Sequence, residues 1–158
     1  MRYIHVQSSS QLLQLKQGNK VLQEYLISTA KNGLGEQQGS YKTPRGWHRV
    51  YQKMGSDAGL NAVFVSRQLT GEVYSDDLSQ QFPDRDWILS RILWLEGLEP
   101  GKNLGGVCDT RSRYIYIHGT PDSAALGRPV SHGCIRMAPQ DVASLFDYID
   151  VHCKVLIE

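Results

Sequence analysis

The 158-residue sequence has few cysteines and no long apolar run, and both shortages restrict the kind of protein it can be. Its three cysteines, Cys108, Cys134 and Cys153, are odd in number and irregularly spaced, which excludes a disulfide framework and is typical of a reducing compartment. No stretch approaches the roughly 18 apolar residues of a membrane span, and residues 1–20 lack the apolar stretch of a secretory signal. If Met1 is the natural start, we predict a cytoplasmic protein with no membrane partner.

An excess of charge of either sign is also missing. The chain has 17 Lys and Arg against 16 Asp and Glu, with no basic stripe of the kind that binds nucleic acid. A chain of this length buries roughly two-thirds of its unfolded surface when it folds as one unit. We therefore predict a single domain over residues 1–158, with a small and specific ligand rather than a nucleic acid as its partner.

Short strands dominate the predicted secondary structure. Residues 12–16 and 21–27 flank a polar turn and predict a hairpin, and residues 62–66 and 72–74 predict further strands. Residues 87–95 are apolar nearly throughout, so we expect this segment to be buried on both faces, as a strand or a short helix.

One helix is predicted, directly after the motif described below. Pro139 suits the first turn of a helix, and an apolar stripe at i, i+3, i+4 and i+7 follows it, formed by Val142, Leu145, Phe146 and Ile149. Residues 151–157 predict a closing strand. These elements predict a mainly β fold, either a sandwich or a partly closed barrel, with one clear helix.

The segment from Tyr114 to His118 alternates between polar and apolar residues. In an extended chain Tyr114, Tyr116 and His118 share one face, and Ile115 and Ile117 share the other. We expect the isoleucines in the core and the tyrosines and the histidine along a cleft, with the strand ending at Gly119.

The residues needed for covalent acyl transfer lie between Ile117 and Met137. This chemistry requires a nucleophile, a base within hydrogen-bond reach and donors for the developing oxyanion. Cys134 is the candidate nucleophile, since a neighbouring imidazole lowers the pKa of a thiol. The amides of Gly133 and Cys134 are the candidate oxyanion donors. Spacing alone does not decide between His118 and His132 as the base, and we favour His118 because it lies at the rigid end of a strand.

This pattern resembles the signature of the L,D-transpeptidase catalytic domain family, also called YkuD-type. The resemblance is carried by IHGT at residues 117–120 and SHGCIRM at residues 131–137. A TPRG turn at residues 43–46 extends it, so that it runs from about residue 10 to the end of the chain. It implies a β-sandwich with a short helix, in which Cys134 is the nucleophile and His118 its base. Further motif positions fall on Ser131, His132, Gly133 and Arg136.

The resemblance also implies a substrate. Enzymes of this family attack the bond between the L-centre of a diamino acid, usually meso-diaminopimelate, and the following D-alanine in peptidoglycan tetrapeptides. Cys134 would release D-alanine and hold the remaining tripeptide as a thioester. Water resolves that thioester in an L,D-carboxypeptidase, and an amine resolves it in an L,D-transpeptidase. Carbapenem-type β-lactams are implied to acylate Cys134.

The predicted location is the basis for choosing between these two activities. Most members of the family are exported or membrane-anchored, whereas this chain shows no signal. We therefore favour an L,D-carboxypeptidase acting on free tetrapeptides or muropeptides in peptidoglycan recycling. A transpeptidase that cross-links peptidoglycan or exchanges D-amino acids is the alternative.

Recognition of the D-alanine carboxylate requires a cation, and arginine binds carboxylates through two parallel hydrogen bonds. Arg136 is the first candidate by proximity and Arg91, inside an apolar run, is the second. Arg128 also flanks the cysteine loop. We expect three more residues to line the substrate site, namely Ser131, Gly119 and Tyr116.

Two other classes of protein compete with a cysteine enzyme. Zinc could be bound by His118, His132 and Cys134, but their spacing matches no paired-ligand pattern, and we predict no metal and no cofactor. A non-catalytic module that binds muropeptides would keep the same fold. The presence of all the expected catalytic positions argues against that module.

Overall fold

The computed structural model describes all 158 residues and consists of ten strands in one sheet and two helices. The sheet order β4-β10-β1-β2-β3-β9-β8-β7 is closed by pairing of β7 with β4, which gives an eight-stranded barrel. Strands β5 and β6 extend outward from β7. The strands are β1 Arg2–Gln7, β2 Leu12–Gln17, β3 Lys20–Ser28, β4 Gly46–Met54, β5 Ala62–Val65, β6 Gln68–Val73, β7 Ile88–Gly97, β8 Tyr116–Gly119, β9 Ile135–Met137 and β10 Lys154–Ile157. The helices are α1 Asp76–Gln81 and α2 Pro139–Tyr148.

Helix α2 confirms the helix predicted after the motif. It begins with Pro139 in its first turn, and its buried side chains are Val142, Leu145 and Phe146. These side chains join the main apolar core, because residues three and four apart lie on one face of a helix. Helix α2 therefore packs against the barrel core.

The main core lies inside the barrel. Ile115, Ile117 and Ile135 belong to it, as the alternation of residues 114–118 predicts. The predicted burial of β7 on two faces is also confirmed, since Leu93 packs in the barrel core while Ile92 belongs to a separate apolar cluster. Burial on both faces explains why the sequence of β7 is apolar nearly throughout.

That separate cluster holds the β5–β6 hairpin against the outer face of the barrel. It consists of Phe64 from β5, Ile92 and Tyr116. The hairpin turns at Ser66 and Arg67, which both have positive φ, at 49° and 71°, as in the tight turns that match strand twist. Arg67 donates a hydrogen bond of 2.9 Å to the Tyr116 hydroxyl. The hairpin thereby covers the outer face of β8.

The structure departs from the predicted strands in several places. Strands β1, β4 and β9 were not predicted, and β6 starts at Gln68 rather than at residue 72. Strands β8 and β10 start at Tyr116 and Lys154, later than predicted, because turns precede them in which Tyr114 and His152 have φ of 56° and 75°. Of the two predicted architectures, the barrel is correct, and the β4–β7 pairing closes it completely. No helix in the structure is both long and apolar enough to cross a membrane.

Candidate active site

Strands β8 and β9 bring the two halves of the motif together. They run parallel, with His118 opposite Arg136 and Ile117 opposite Ile135. Both isoleucines point into the barrel core, so His118 and Arg136 lie side by side on the outer face. Cys134 directly precedes β9 and packs against the cluster that includes Tyr116.

The thiol of Cys134 is held by the backbone of the neighbouring strand. Its Sγ accepts a hydrogen bond of 3.3 Å from the Tyr116 N–H and lies 3.5 Å from the Tyr114 carbonyl oxygen, to which it donates. Burial raises the pKa of the Cys134 thiol to about 12. The expectation of a lowered pKa is therefore wrong for this structure. The thiol is neutral at pH 7, and no hydrogen bond joins it to His118.

His118 is buried, with 1% of its surface exposed. Its Nδ1 lies 2.8 Å from the carbonyl oxygen of Gly119. Because a carbonyl only accepts, Nδ1 carries the proton and Nε2 has the free lone pair. Burial lowers the pKa of His118, so the imidazole is also neutral at pH 7. Cys134 and His118 are thus a neutral thiol and a neutral base of defined tautomer.

The loop before Cys134 is shaped by Ser131 and Gly133. The Ser131 hydroxyl donates to the Cys134 carbonyl oxygen at 2.5 Å and accepts from the Gly133 N–H at 3.2 Å. Gly133 has φ of 133°, a conformation that favours glycine. Since the Gly133 amide is already bonded within the loop, the Cys134 amide is the donor left for an oxyanion. Ser131 itself is buried and braces the loop.

The TPRG turn is connected directly to this loop. The Thr43 hydroxyl donates to the Gly133 carbonyl oxygen at 2.9 Å and accepts from the Ala30 N–H at 3.0 Å. Thr43 is fully buried. The turn that carries part of the family resemblance thus has a physical role, because it fixes the backbone immediately before Cys134.

Asp86, which sequence analysis did not select, contacts two residues of the candidate site. One carboxylate oxygen accepts a hydrogen bond of 2.9 Å from Arg136, and the other lies 3.5 Å from Nδ1 of His132. The Arg136 side chain is only 11% exposed, so its charge is neutralised mainly by Asp86. Asp86 lies 46 residues before His132 in the sequence, in a loop without a recognisable motif.

Arg113 is a second residue that sequence analysis missed. Its guanidinium donates to the carbonyl oxygens of Gly35, Glu36 and Lys42, the last at 2.6 Å. These bonds fix residues 35–42, a segment we call the rim loop. Burial lowers the pKa of Arg113, and its positive charge acts on the Cys134 thiol.

The other arginines predicted for substrate binding lie in different surroundings. Arg91 donates to the carbonyl oxygens of Ala58 and Ser90, each at 2.8 Å, and its guanidinium lies 5.5 Å from the Phe146 ring centre. None of these partners belongs to the cysteine loop. Arg128 is exposed, and its side chain makes no hydrogen bond or ion pair. Only Arg136 is brought next to His118.

Tyr116 and Gly119 contribute mainly through the backbone of β8. The Tyr116 side chain is buried beneath the β5–β6 hairpin rather than lining an open cleft, whereas its N–H donates to the Cys134 thiol. A Cβ on Gly119 would lie 2.7 Å from the Leu89 carbonyl oxygen. Glycine therefore allows β8 to approach β7 closely at the point where its carbonyl holds His118.

Three clefts meet at His132, whose side chain is 67% exposed. One, of about 190 Å³, contains Asp86 and Arg136. A second, of about 300 Å³, is lined by Tyr41, Arg113 and Tyr114 among others. The third, of about 420 Å³, is lined by Lys31, Asn32 and Ser131 among others. No group of three or more His, Cys, Asp or Glu side chains is arranged to hold a metal ion.

The model of the L,D-transpeptidase catalytic domain family, YkuD, matches residues 1–157, and the chain therefore belongs to this family. Over 69 residues it is 39% identical to YqjB of Bacillus subtilis (strain 168), a provisionally assigned L,D-transpeptidase, and this match covers 40% of the chain and 39% of YqjB.

Solved structures show the same fold. An L,D-transpeptidase from Mycobacterium smegmatis superposes on 99% of this chain and 58% of its own, with a TM-score of 0.59 at 18% identity. The LD transpeptidase LdtMt1, solved in complex with imipenem, does so with a TM-score of 0.58 at 19% identity and the same coverage. The chain thus spans less than two-thirds of the length of each of these relatives.

Proposed function

We propose that this protein is a cysteine L,D-carboxypeptidase that removes the terminal D-alanine from peptidoglycan tetrapeptides of the kind released during wall recycling. The observation that carries the proposal is the position of the half-buried thiol of Cys134, directly before β9 and hydrogen-bonded to the backbone of β8, the strand that also carries the buried imidazole of His118. Membership of the L,D-transpeptidase family supports the assignment of the reaction class.

In the first half-reaction, Nε2 of His118 takes the thiol proton as Sγ of Cys134 attacks the carbonyl carbon of the diamino acid. The Cys134 amide stabilises the oxyanion. The bond to D-alanine then breaks, and its departing amine takes the proton from His118. The products are free D-alanine and a tripeptide thioester on Cys134.

In the second half-reaction, water attacks the thioester carbonyl and His118 takes a proton from that water. The carbon–sulfur bond breaks, the proton passes to sulfur, and the tripeptide leaves as a free acid. The exposure of His132 and the three clefts that meet there support this step, because they leave the motif loop open to water.

Arg136 is the proposed partner of the D-alanine carboxylate. Its guanidinium is largely buried beside His118 and is shared with Asp86. Asp86 and His132 would then position Arg136 and leave one face of its guanidinium for the substrate. Ser131, Gly119 and Tyr116 support the site through the contacts described above, while Arg91 and Arg128 have no role in this mechanism.

Transpeptidation is the second candidate, and the relatives in the same family support it. The two activities are separated by mass spectrometry of the protein incubated with a free tetrapeptide or a disaccharide-tetrapeptide. We expect loss of one D-alanine with no dimer. A cross-linked dimer, or exchange of D-alanine for another added D-amino acid, would show a transpeptidase instead.

A non-catalytic muropeptide-binding module is tested in the same experiment with Cys134→Ala. An enzyme loses product formation in this variant, whereas a binding module forms no product before or after the change and keeps its affinity. We also propose that carbapenems acylate Cys134. Intact-mass spectrometry should then show one adduct per chain with imipenem, and none on Cys134→Ala.

A further inference from the structure

A fourth cleft, larger than any of those that meet at His132, lies on the other side of the rim loop. Its volume is about 560 Å³. Its wall includes three cations and one carboxylate, from Lys42, Arg45, Lys102 and Glu36. No residue of the catalytic motif lines it, and the mechanism above makes no use of it.

The single carboxylate in this cleft is fully engaged. Both oxygens of Glu36 accept hydrogen bonds from the Arg45 guanidinium, at 2.9 and 3.0 Å, and one of them also accepts from the Arg45 N–H. This two-point pairing neutralises Arg45 and fixes its position. The net positive charge of the cleft therefore comes from Lys42 and Lys102.

The two lysines are free or nearly free. Lys42 makes no side-chain hydrogen bond and no ion pair, and Lys102 lies 3.8 Å from Glu99, a separation at the outer limit of an ion pair. The same Glu99 oxygen already accepts a hydrogen bond of 2.6 Å from the Trp47 N–H. Of the two lysines that line the cleft, Lys42 therefore has no anionic partner, and Lys102 has only the distant Glu99.

Lys42 is placed by the shape of the rim loop. A Cβ on Gly35 would lie 2.6 Å from Cδ of Lys42, so glycine there lets the lysine stem lie flat across the loop. The Lys42 backbone is fixed in turn by its carbonyl bond to Arg113. The fold therefore restricts the position of the Lys42 ammonium group more than it would for an ordinary surface lysine.

The rim loop also connects this cleft to the nucleophile. Gln38, Gly39 and Tyr41 line the cleft on the side of His132, whereas Glu36 and Lys42 line the larger cleft. The residue after Lys42 is Thr43, which bonds to the Gly133 carbonyl. A peptide lying along the first cleft would therefore need to pass only over this loop to reach the second.

We propose that the cleft formed by Lys42, Arg45 and Lys102 binds a carboxylate of the acyl-donor peptide, on the amino-terminal side of the attacked diamino acid. The inference rests on the proposed function, which makes that peptide the donor. The carboxylate at the opposite end, on D-alanine, goes to Arg136.

The test uses two synthetic tetrapeptides that differ in one group, with either an acidic residue or its carboxamide directly before the diamino acid. We expect KM about 10-fold lower for the acidic peptide, with kcat changed less than about 2-fold, since a charge-assisted contact is lost without altering the reacting atoms. Lys42→Met and Lys102→Met, which keep the apolar stem, should each reduce this preference, and the double variant should abolish it. Lys42→Arg should retain it.

Lys20→Met is the matched control, because Lys20 is an exposed lysine at the start of β3 and lines none of these clefts. Equal KM values for the two peptides, or a preference that survives in the double variant, would overturn the inference. Calorimetric binding of both peptides to Cys134→Ala separates this outcome from failure of the proposed function, because it requires no turnover. Preferential binding without any product from the unmodified protein would support the cleft and reject the carboxypeptidase.

Discussion

The surroundings of Cys134 and Cys153 differ, although burial acts on both thiols in the same way. Burial raises the pKa of Cys134 to about 12 and that of Cys153 to about 11. Cys153 packs against the barrel core next to β10, with its Sγ 3.6 Å from the Lys154 carbonyl oxygen. Cys134 instead adjoins the strand that carries His118. The raised pKa therefore does not distinguish the two thiols, and the choice of Cys134 as the proposed nucleophile depends on the groups around it.

The largest expected effect is the loss of activity on replacing one of these cysteines. Cys134→Ala should lower kcat/KM by at least about 10³-fold because the covalent step is lost. Cys153→Ala should stay within about 2-fold. Release of D-alanine, measured by mass spectrometry, checks both. Cys134→Ser keeping more than about a tenth of the activity would contradict the assignment of the nucleophile.

The second prediction compares His118, the proposed base for Cys134, with His152, which is adjacent to Cys153 in the sequence. His118→Gln should lower kcat by about 10²–10⁴-fold, the usual contribution of a general base. His152, next to Cys153 and exposed, provides the matched control, and His152→Gln should have no effect. If His118→Gln remains active while His132→Gln does not, then His132 is the base.

The third prediction concerns Asp86, which has no counterpart near Cys153. Asp86→Asn should raise KM for the tetrapeptide about 10-fold because Arg136 and His132 lose a common anchor. Asp84 lines the same cleft without an ion pair, so Asp84→Asn is the control. Asp86→Glu should restore part of the affinity. Equal behaviour of the two asparagine variants would show that Asp86 only contributes charge to the cleft.

The fourth prediction is the pH profile of kcat/KM, which should reflect a neutral imidazole at His118 and a neutral thiol at Cys134. His118 has a lowered pKa, so kcat/KM should fall only when the pH drops below about 6.5 and the base becomes protonated. The raised pKa of Cys134 means that the thiol stays neutral through pH 9, so no alkaline loss is expected between pH 7 and 9. A bell-shaped profile with loss above pH 7 would instead indicate a thiolate–imidazolium pair.

The smallest effect is on stability. Cys153→Ala removes a half-buried sulfur from the edge of the core and should cost about 1 kcal/mol of the free energy of unfolding. For a chain of this size that corresponds to a decrease in Tm of about 2–4 °C. Thermal unfolding followed by circular dichroism measures it. An unchanged Tm would show that the barrel wall closes over the missing sulfur.

Local patterns were sufficient to predict several elements around the candidate site. The stripe of α2 and the hairpin of β2 and β3 each lie within one short segment, and the structure confirms them. The burial of Ile115 and Ile117 is also confirmed, although β8 begins at Tyr116 because Tyr114 lies in a turn with φ of 56°. Strands β1 and β4 were missed because their polar and apolar residues alternate imperfectly, and their pairing with β10 brings together residues about 100 or more positions apart.

The candidate site residues Cys134, His118 and Gly133 were selected from contiguous motifs. Asp86 and Arg113 were missed because their partners are distant in the sequence: Asp86 contacts Arg136 across 50 residues, and Arg113 contacts Lys42 of the rim loop across 71 residues. A carboxylate or a guanidinium in a loop has no periodicity that would distinguish it from an ordinary surface charge. The thiol pKa was also beyond sequence analysis, because burial determined it.

The closing strand of the barrel has a consequence for the order of folding. Strand β10 inserts between β1 and β4, although it follows the whole catalytic motif in the sequence. Until residues 154–157 arrive, the edges of β1 and β4 are unpaired and open to association with other chains. Pairings over such sequence separations form slowly, on a scale of milliseconds to seconds. Formation of the catalytic loop should therefore be limited by a pairing event remote from it, and a truncation before β10 should promote aggregation rather than yield a weakened enzyme.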